Sequence, residues 1–167
     1  MTTPATELPA HPIHRVAKEL VASSGFLLAR LGFGFKAKTI AKLEQAGFEI
    51  YDYSVLAILA EGAREAQATI ADTLGLDPSR VVAVLDSLER RELVERQRDP
   101  HDRRRHVVSI TPSGKRQLSR LRTTMKELED EFFAPLDAET RERLHELLLV
   151  LACHHDPRCA FKSQDPA

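Results

Sequence analysis

The stretch Arg96-Gln-Arg-Asp-Pro-His-Asp-Arg-Arg-Arg-His-Val-Val-Ser-Ile-Thr111 decides the fold of this 167-residue chain. Branched residues on either side of the turn mixture Asp99-Pro-His-Asp102 are typical of two half-exposed strands joined by an extended loop. Residues 96–105 contain five arginines and two aspartates, a local balance of +3. We therefore predict strands over 93–98 and 106–110, joined by a basic tip.

The segment before this hairpin predicts two short helices separated by a tight turn. The first helix covers residues 69–74, and Gly75 then turns the chain. Asp77 is a good N-cap, and Pro78 suits the first position of a helix over 78–91 because its missing N–H is not needed there. Apolar residues at helical spacing predict the buried face of this helix: Val81, Val84, Leu85 and Leu88. The pattern indicates a helix-turn-helix followed by a β-wing over 94–110.

The remaining chain has helical periodicity. Apolar residues at three- and four-residue steps predict one long helix over 13–46, with a break near Gly32–Phe35 as an alternative. Further helices are predicted over 51–61, from Pro112 to about Phe133, and after Asp137. The fold class is mainly α with a small β-wing. We expect one domain over 13–155, a disordered N-terminal tail over 1–12 and a flexible tail over 156–167.

Composition limits the class of protein. A hydrophobic content of 43% and a charged content of 29% are ordinary for a globular domain. The formal net charge of −1 excludes a general polycation, so any affinity for nucleic acid must come from a local patch. We find neither an apolar run of membrane-spanning length nor a secretory signal, and we expect no membrane partner. The two cysteines cannot form a disulfide framework, which favours the cytoplasm.

A regular apolar seam runs along the helix that begins at Pro112. Its members follow steps of 3, 4, 3 and 4 residues: Leu118, Leu121, Met125, Leu128 and Phe132. Such heptad spacing predicts a partner helix, and the alternative is packing within the same chain.

Three blocks of sequence resemble the MarR family of winged-helix transcriptional regulators. They are Ile70-Ala-Asp-Thr-Leu-Gly-Leu76, then Val84-Leu-Asp-Ser-Leu-Glu-Arg-Arg91, then Asp102-Arg-Arg104 with Val107-Val-Ser-Ile-Thr-Pro-Ser-Gly114. The resemblance implies dimerisation helices over 13–46 and 112–155, which pair two copies of the chain, and a winged-helix lobe over 51–111. It implies a homodimeric, ligand-responsive repressor that binds a pseudo-palindromic operator in double-stranded DNA.

The helix over 78–91 is the expected reader of the major groove, where its first residues would lead. Ser79, Arg80 and Ala83 are candidates for base contacts, and Arg80 suits a bidentate bond to guanine. Ser79 could instead reach a phosphate. Val82 and Ser87 share the outer side of this helix. The chain departs from the family where relatives commonly have glycine, at Glu92, and where they often have a longer polar residue, at Ala83.

The tip of the wing is expected in the minor groove, whose narrow A·T-rich regions attract arginine. The resemblance implies that Arg104 enters the groove and that Asp102 orients it. Arg103 and Arg105 are assigned to phosphates, with Arg96 and Arg98 as further candidates.

The resemblance also suggests a small aromatic effector, with Phe26, Phe33, Tyr51 and Tyr53 as candidate lining residues. The alternative is that these aromatic residues belong to the core. Cys153 and Cys159 could form a metal or thiol site, although their spacing matches no standard zinc pattern. The competing function is a winged-helix module for protein contact or for metal or thiol sensing. No catalytic motif or cofactor site is visible, so we expect neither an enzyme nor a bound metal.

Overall fold

The computed structural model describes residues 15–62, 65–98 and 106–159. Within these ranges the secondary-structure elements are, in chain order, α1 Lys18–Val21, α2 Ser24–Gln45, α3 Ile50–Glu61, β1 Glu65–Ala66, α4 Gln67–Leu74, α5 Pro78–Arg90, β2 Val94–Arg98, β3 His106–Ile110, α6 Pro112–Phe132 and α7 Ala138–His155, with a 3₁₀ turn over Pro157–Cys159. The chain divides into two compact units, one up to Lys36 and the other from Ala37. The mainly helical fold with a small antiparallel sheet confirms the predicted fold class.

The first unit contains α1 and the beginning of α2. The predicted single helix is interrupted at Ala22 and Ser23, where the Ser23 Oγ accepts a hydrogen bond from the Phe26 N–H at 3.3 Å. The alternative break near Gly32–Phe35 is wrong, because α2 continues through it. A glycine costs a helix only about 1 kcal/mol, whereas a serine that accepts from the first amides favours a new start.

The core of the second unit forms around α3 and α5. The four residues predicted for the buried face of α5, Val81, Val84, Leu85 and Leu88, are all buried, which confirms that prediction. They pack with residues of α3, α4 and β3, including Val55, Leu56, Ile70 and Val108. This packing holds α5 by its apolar side and leaves its opposite side at the surface.

The sheet has the order β1–β3–β2, with antiparallel pairing throughout. Arg96 of β2 and Glu65 of β1 both lie opposite Val108, so β3 is the central strand. The two strands of the predicted hairpin are present, over Val94–Arg98 and His106–Ile110. The sequence reading missed β1, because two residues are too few to show alternation.

The apolar seam of α6 is buried inside the chain. Leu118, Leu121, Met125 and Leu128 are all buried, and Phe132 is half-buried. The prediction that this seam needs a partner helix from outside is therefore wrong for these four residues, because α6 packs against α3 of its own unit. By contrast, α7 exposes Leu147, Val150 and Leu151.

Three helices end in the same left-handed turn. The turn residues are Gly47 after α2, Gly75 after α4 and Glu92 after α5, with φ of 77°, 61° and 57°. In each case the following N–H donates back to the last helical turn, as from Leu93 to the Leu88 carbonyl at 3.0 Å. Glycine takes this conformation without strain, whereas a residue with a Cβ does not. Glu92 therefore occupies a position suited to glycine.

We expect Glu92→Gly to raise the free energy of unfolding by roughly 0.5–1 kcal/mol. The substitution removes the steric strain of a Cβ in the left-handed conformation, and this gain exceeds the cost of the greater backbone entropy that glycine has in the unfolded chain. The Glu92 carbonyl, which accepts from the Thr111 hydroxyl at 2.8 Å, is retained. Urea unfolding measures the change. Glu92→Ala is the matched control because it keeps the strain, and a glycine variant no more stable than the alanine variant would contradict the prediction.

Candidate nucleic-acid interface

The start of α5 is held by its own cap. Asp77 Oδ1 accepts from the Ser79 N–H at 2.8 Å and from the Ser79 hydroxyl at 2.6 Å. These two bonds, the hydroxyl first, hold the pKa of Asp77 below its ordinary value. The predicted N-cap at Asp77 and the proline at the first position are confirmed. Because the Ser79 hydroxyl donates to Asp77, its lone pairs remain as acceptors.

The outer side of α5 presents the predicted contact residues. Ser79, Arg80, Val82 and Ala83 are exposed, and Ser87 is half-buried. These residues share the face opposite the buried one, which is the geometry a groove-reading helix requires.

Arg80 is oriented by residues at the start of α3. Its Nη2 lies 2.8 Å from Glu49 Oε2, and its guanidinium carbon lies 5.7 Å from the centre of the Tyr51 ring. Glu49 stands just before α3, and its N–H donates to the buried Asp52 carboxylate at 2.9 Å. Burial raises the pKa of Asp52, although this hydrogen bond lowers it. The sequence reading missed Glu49, because its proximity to Arg80 arises only in the folded chain.

Arg96 joins the wing to α5. Its Nη2 lies 2.6 Å from Asp86 Oδ1, and its Nη1 lies 3.4 Å from Glu89 Oε2. Nη2 also donates to the Val82 carbonyl at 3.3 Å, and the side chain is only 21% exposed. The buried Nε has no acceptor among the residues the structure describes. The sequence did not predict Asp86 and Glu89 as site residues, although their three-residue spacing places both on one side of a helix.

The end of the hairpin is described only in part. Arg98 is exposed and lies opposite His106 across β2 and β3. The four predicted wing residues Asp102, Arg103, Arg104 and Arg105 lie outside the described residues. Their assignments remain predictions.

The candidate effector residues fall in two places. On α2, the half-buried Phe26 and the 79% exposed Phe33 line a shallow groove with Ala29, Arg30 and Gly34. On α3, Tyr51 and Tyr53 are partly buried against the core of the second unit. The alternative of ordinary core packing therefore fits the two tyrosines better than it fits Phe33.

Within 15–62, 65–98 and 106–159, no group of three or more His, Cys, Asp or Glu side chains is placed to hold a metal ion. None of the described helices is both long enough and apolar enough to cross a membrane. The thiols of Cys153 and Cys159 are free, and Cys153 is the less exposed.

A capped helix-turn-helix followed by an antiparallel wing defines the chain as a winged-helix DNA-binding protein. The sequence model of the MarR family matches residues 49–105. The chain belongs to the MarR family of transcriptional regulators. This is a family of regulators and not of enzymes.

Known relatives agree with this assignment. A crystal structure of a MarR-family regulator from Rhodococcus sp. RHA1 is 29% identical and covers 84% of this chain and 98% of its own, with a TM-score of 0.71. CouR from Rhodococcus jostii RHA1, crystallised with p-coumaroyl-CoA, is 31% identical over 81% of this chain and 96% of its own, with a TM-score of 0.67. A Thauera aromatica protein assigned to regulation of the hcr operon is 29% identical over 132 residues, which are 74% of this chain and 80% of the relative.

Arg96→Ala should lower the free energy of unfolding by about 1 kcal/mol, because it leaves Asp86 and Glu89 without their shared cation and loosens β2 from α5. Arg98→Ala, on the same strand, should change it by less than about 0.5 kcal/mol. Urea unfolding measures both.

DNA binding at several salt concentrations separates the two arginines further. Each phosphate contact adds about one unit to the steepness with which the logarithm of the binding constant falls against the logarithm of the salt concentration. Arg98→Ala should therefore make this slope shallower, and Arg96→Ala should leave it unchanged. A reduced slope for Arg96→Ala would instead restore the phosphate assignment.

Proposed function

We propose that the chain is a homodimeric, ligand-responsive repressor acting in the cytoplasm on a pseudo-palindromic operator. In this proposal α5 enters the major groove, and the wing over 94–110 contacts the minor groove. This proposal rests on one observation: the first two turns of α5 expose Arg80 and Ala83 beside the hairpin that leads to the arginine-rich tip. Of the predicted site residues, Arg96 is assigned to holding the wing against α5. The proposed DNA contacts are the others: Ser79, Arg80, Val82, Ala83, Ser87, Arg98, Asp102, Arg103, Arg104 and Arg105.

Arg80 is the proposed reader of guanine. Its ion pair with Glu49 and its place over Tyr51 hold the guanidinium near one geometry before DNA arrives. A guanidinium that is ordered in advance loses less side-chain entropy on binding. Because both partners of the pair are exposed, breaking it costs less than about 1 kcal/mol, and a bidentate bond to guanine can offset that loss.

The homodimer is supported by apolar side chains left exposed in each unit. They lie in the proposed dimerisation segments 13–46 and 112–155: Val16, Leu20, Val21, Leu27, Leu28, Leu31 and Phe33 in the first, and Leu147, Leu148, Val150 and Leu151 in the second. Contiguous exposed apolar surface on a folded protein marks an interface, and a second copy of the chain is the partner we propose.

Selection of bound sequences from random duplex DNA tests the operator and the dimer together. We expect enrichment of pseudo-palindromes whose half-sites lie about 10 base pairs apart, since two copies related by a two-fold axis read successive turns of the groove. Affinity for the selected duplex should fall steeply with salt. Failure to enrich any sequence, or a flat response to salt, would count against the proposal.

Arg104→Ala and Arg103→Ala provide a matched pair on the selected duplex. We expect Arg104→Ala to weaken binding most where the wing position is A·T-rich, and Arg103→Ala to weaken binding equally on all sequences. Equal losses from both variants on every duplex would make Arg104 a phosphate contact.

We propose a small aromatic effector, supported by the p-coumaroyl-CoA bound to the similar CouR and by the groove lined by Phe26 and Phe33. Titration with aromatic acids and their coenzyme A thioesters should release the selected duplex. Phe33→Ala should blunt that release, with Phe33→Leu as the control that keeps an apolar side chain. Because Phe33 also lies in the proposed dimer surface, release is compared at concentrations where each variant binds the duplex fully. Release that is the same in all three proteins would remove Phe33 from the effector site.

A further inference from the structure

Two cysteines lie close together where α7 ends. Cys153 lies in the last turn of α7, and its Sγ donates to the backbone carbonyl of Cys159 at 3.4 Å. A carbonyl oxygen lies about 2.4 Å from its own Cα, so the Cys153 sulfur is within about 6 Å of the Cys159 Cα. Cys159 is exposed in the 3₁₀ turn, and both thiols are free. A small shift of that turn and rotation of the two side chains would bring the sulfurs to bonding distance.

The residue beside Cys159 contacts the helix-turn-helix. Arg158 Nη1 donates to the Asp72 carbonyl in α4 at 3.4 Å. The same atom lies 2.9 Å from the position that a Cβ on Gly75 would occupy, so it packs against the turn between α4 and α5. Asp156 holds the guanidinium from the other side, with bonds of 2.8 and 2.7 Å. The end of the described chain therefore places a cation at the carbonyl end of α4, where the helix dipole favours it.

We propose that Cys153 and Cys159 form a redox-active dithiol, which a hydroperoxide closes to an intrachain disulfide, and that closure withdraws Arg158 from the helix-turn-helix and weakens DNA binding. The second half rests on the proposed function, and the first does not.

The disulfide forms in two steps. A Cys159 thiolate attacks the outer oxygen of the hydroperoxide, the O–O bond breaks, and a sulfenic acid and an alcohol result once the alkoxide takes up a proton. The Cys153 thiolate then attacks the sulfenic sulfur, the S–O bond breaks, and hydroxide leaves as water. The two thiols are oxidised by two electrons, and the peroxide is reduced by two. Cys159 reacts first because it is the more exposed of the two thiols.

Closure acts on Arg158 through its position in the chain. The disulfide encloses the segment 153–159, so Cys159 must move toward α7 and Arg158 must move with it. The bond to the Asp72 carbonyl, at 3.4 Å, is the longest that the guanidinium makes and is the first to be lost. A cation at a helix end shifts the folding equilibrium of that helix about two- to fivefold, and we take this as the upper bound of the effect on affinity.

The test treats the full chain with hydrogen peroxide and follows intact mass and DNA affinity together. We expect a loss of about 2 Da, a cross-linked peptide containing both cysteines, and affinity about two- to fivefold weaker that dithiothreitol restores. Cys153→Ser and Cys159→Ser should each prevent the cross-link and the loss of affinity. Arg158→Ala should bind about two- to fivefold more weakly without peroxide and respond no further, although it still forms the disulfide.

Three results would overturn the proposal. An unchanged mass, or one increased by added oxygen alone, would show that the thiols do not close on each other, and a doubled mass would make the disulfide intermolecular. Unchanged affinity of the closed form would remove the link through Arg158. If the chain binds no selected duplex, the proposed function fails, but intact mass still decides whether the dithiol closes.

Discussion

The turn at Glu92 and Leu93 is the junction on which the winged helix depends. The Leu93 N–H donates to the Leu88 carbonyl and ends α5, while the Leu93 carbonyl accepts from the Thr111 N–H at 3.1 Å, where β3 passes into α6. A Cβ on Gly114 would lie 2.1 Å from that carbonyl, so α6 can approach only through a glycine. Three elements are therefore positioned by one backbone turn. Glu92 can keep its left-handed conformation because the hydrogen bonds of the Leu93 N–H and carbonyl outweigh the strain at Glu92.

Arg96 connects the wing to the exposed helix α5 beyond this turn. The backbone turn determines where β2 leaves α5, but a two-stranded extension twists and bends easily beyond its base. The ion pairs of Arg96 with Asp86 and Glu89 tie β2 to the C-terminal half of α5. These ion pairs therefore fix the position of the base of the wing relative to α5. The proposed binding in two grooves requires this fixed spacing, because a misplaced wing would lose its contacts while the helix kept its own.

Local chemistry in the sequence predicted some features, and tertiary partners determined the others. Gly75, Asp77 and Pro78 specify their turn through φ preference, capping and a missing N–H, none of which depends on distant residues. The seam of α6 has the same spacing whether its partner is α3 or another chain, so periodicity alone did not choose between them. Arg96 was recognisable as a cation, but its carboxylate partners lie on another element and became evident only from the fold.

The pairing of these arginines limits where general attraction to DNA can come from. Arg80 and Arg96 are each matched by carboxylates of the same chain, Glu49 for the first and Asp86 with Glu89 for the second. A phosphate near either arginine also meets those carboxylates, which reduces its electrostatic gain. The whole chain, at −1, adds no attraction. Under the proposed mode of binding, sequence-independent affinity therefore comes chiefly from the basic stretch 98–105, and the first turn of α5, which has little net charge, discriminates among bases.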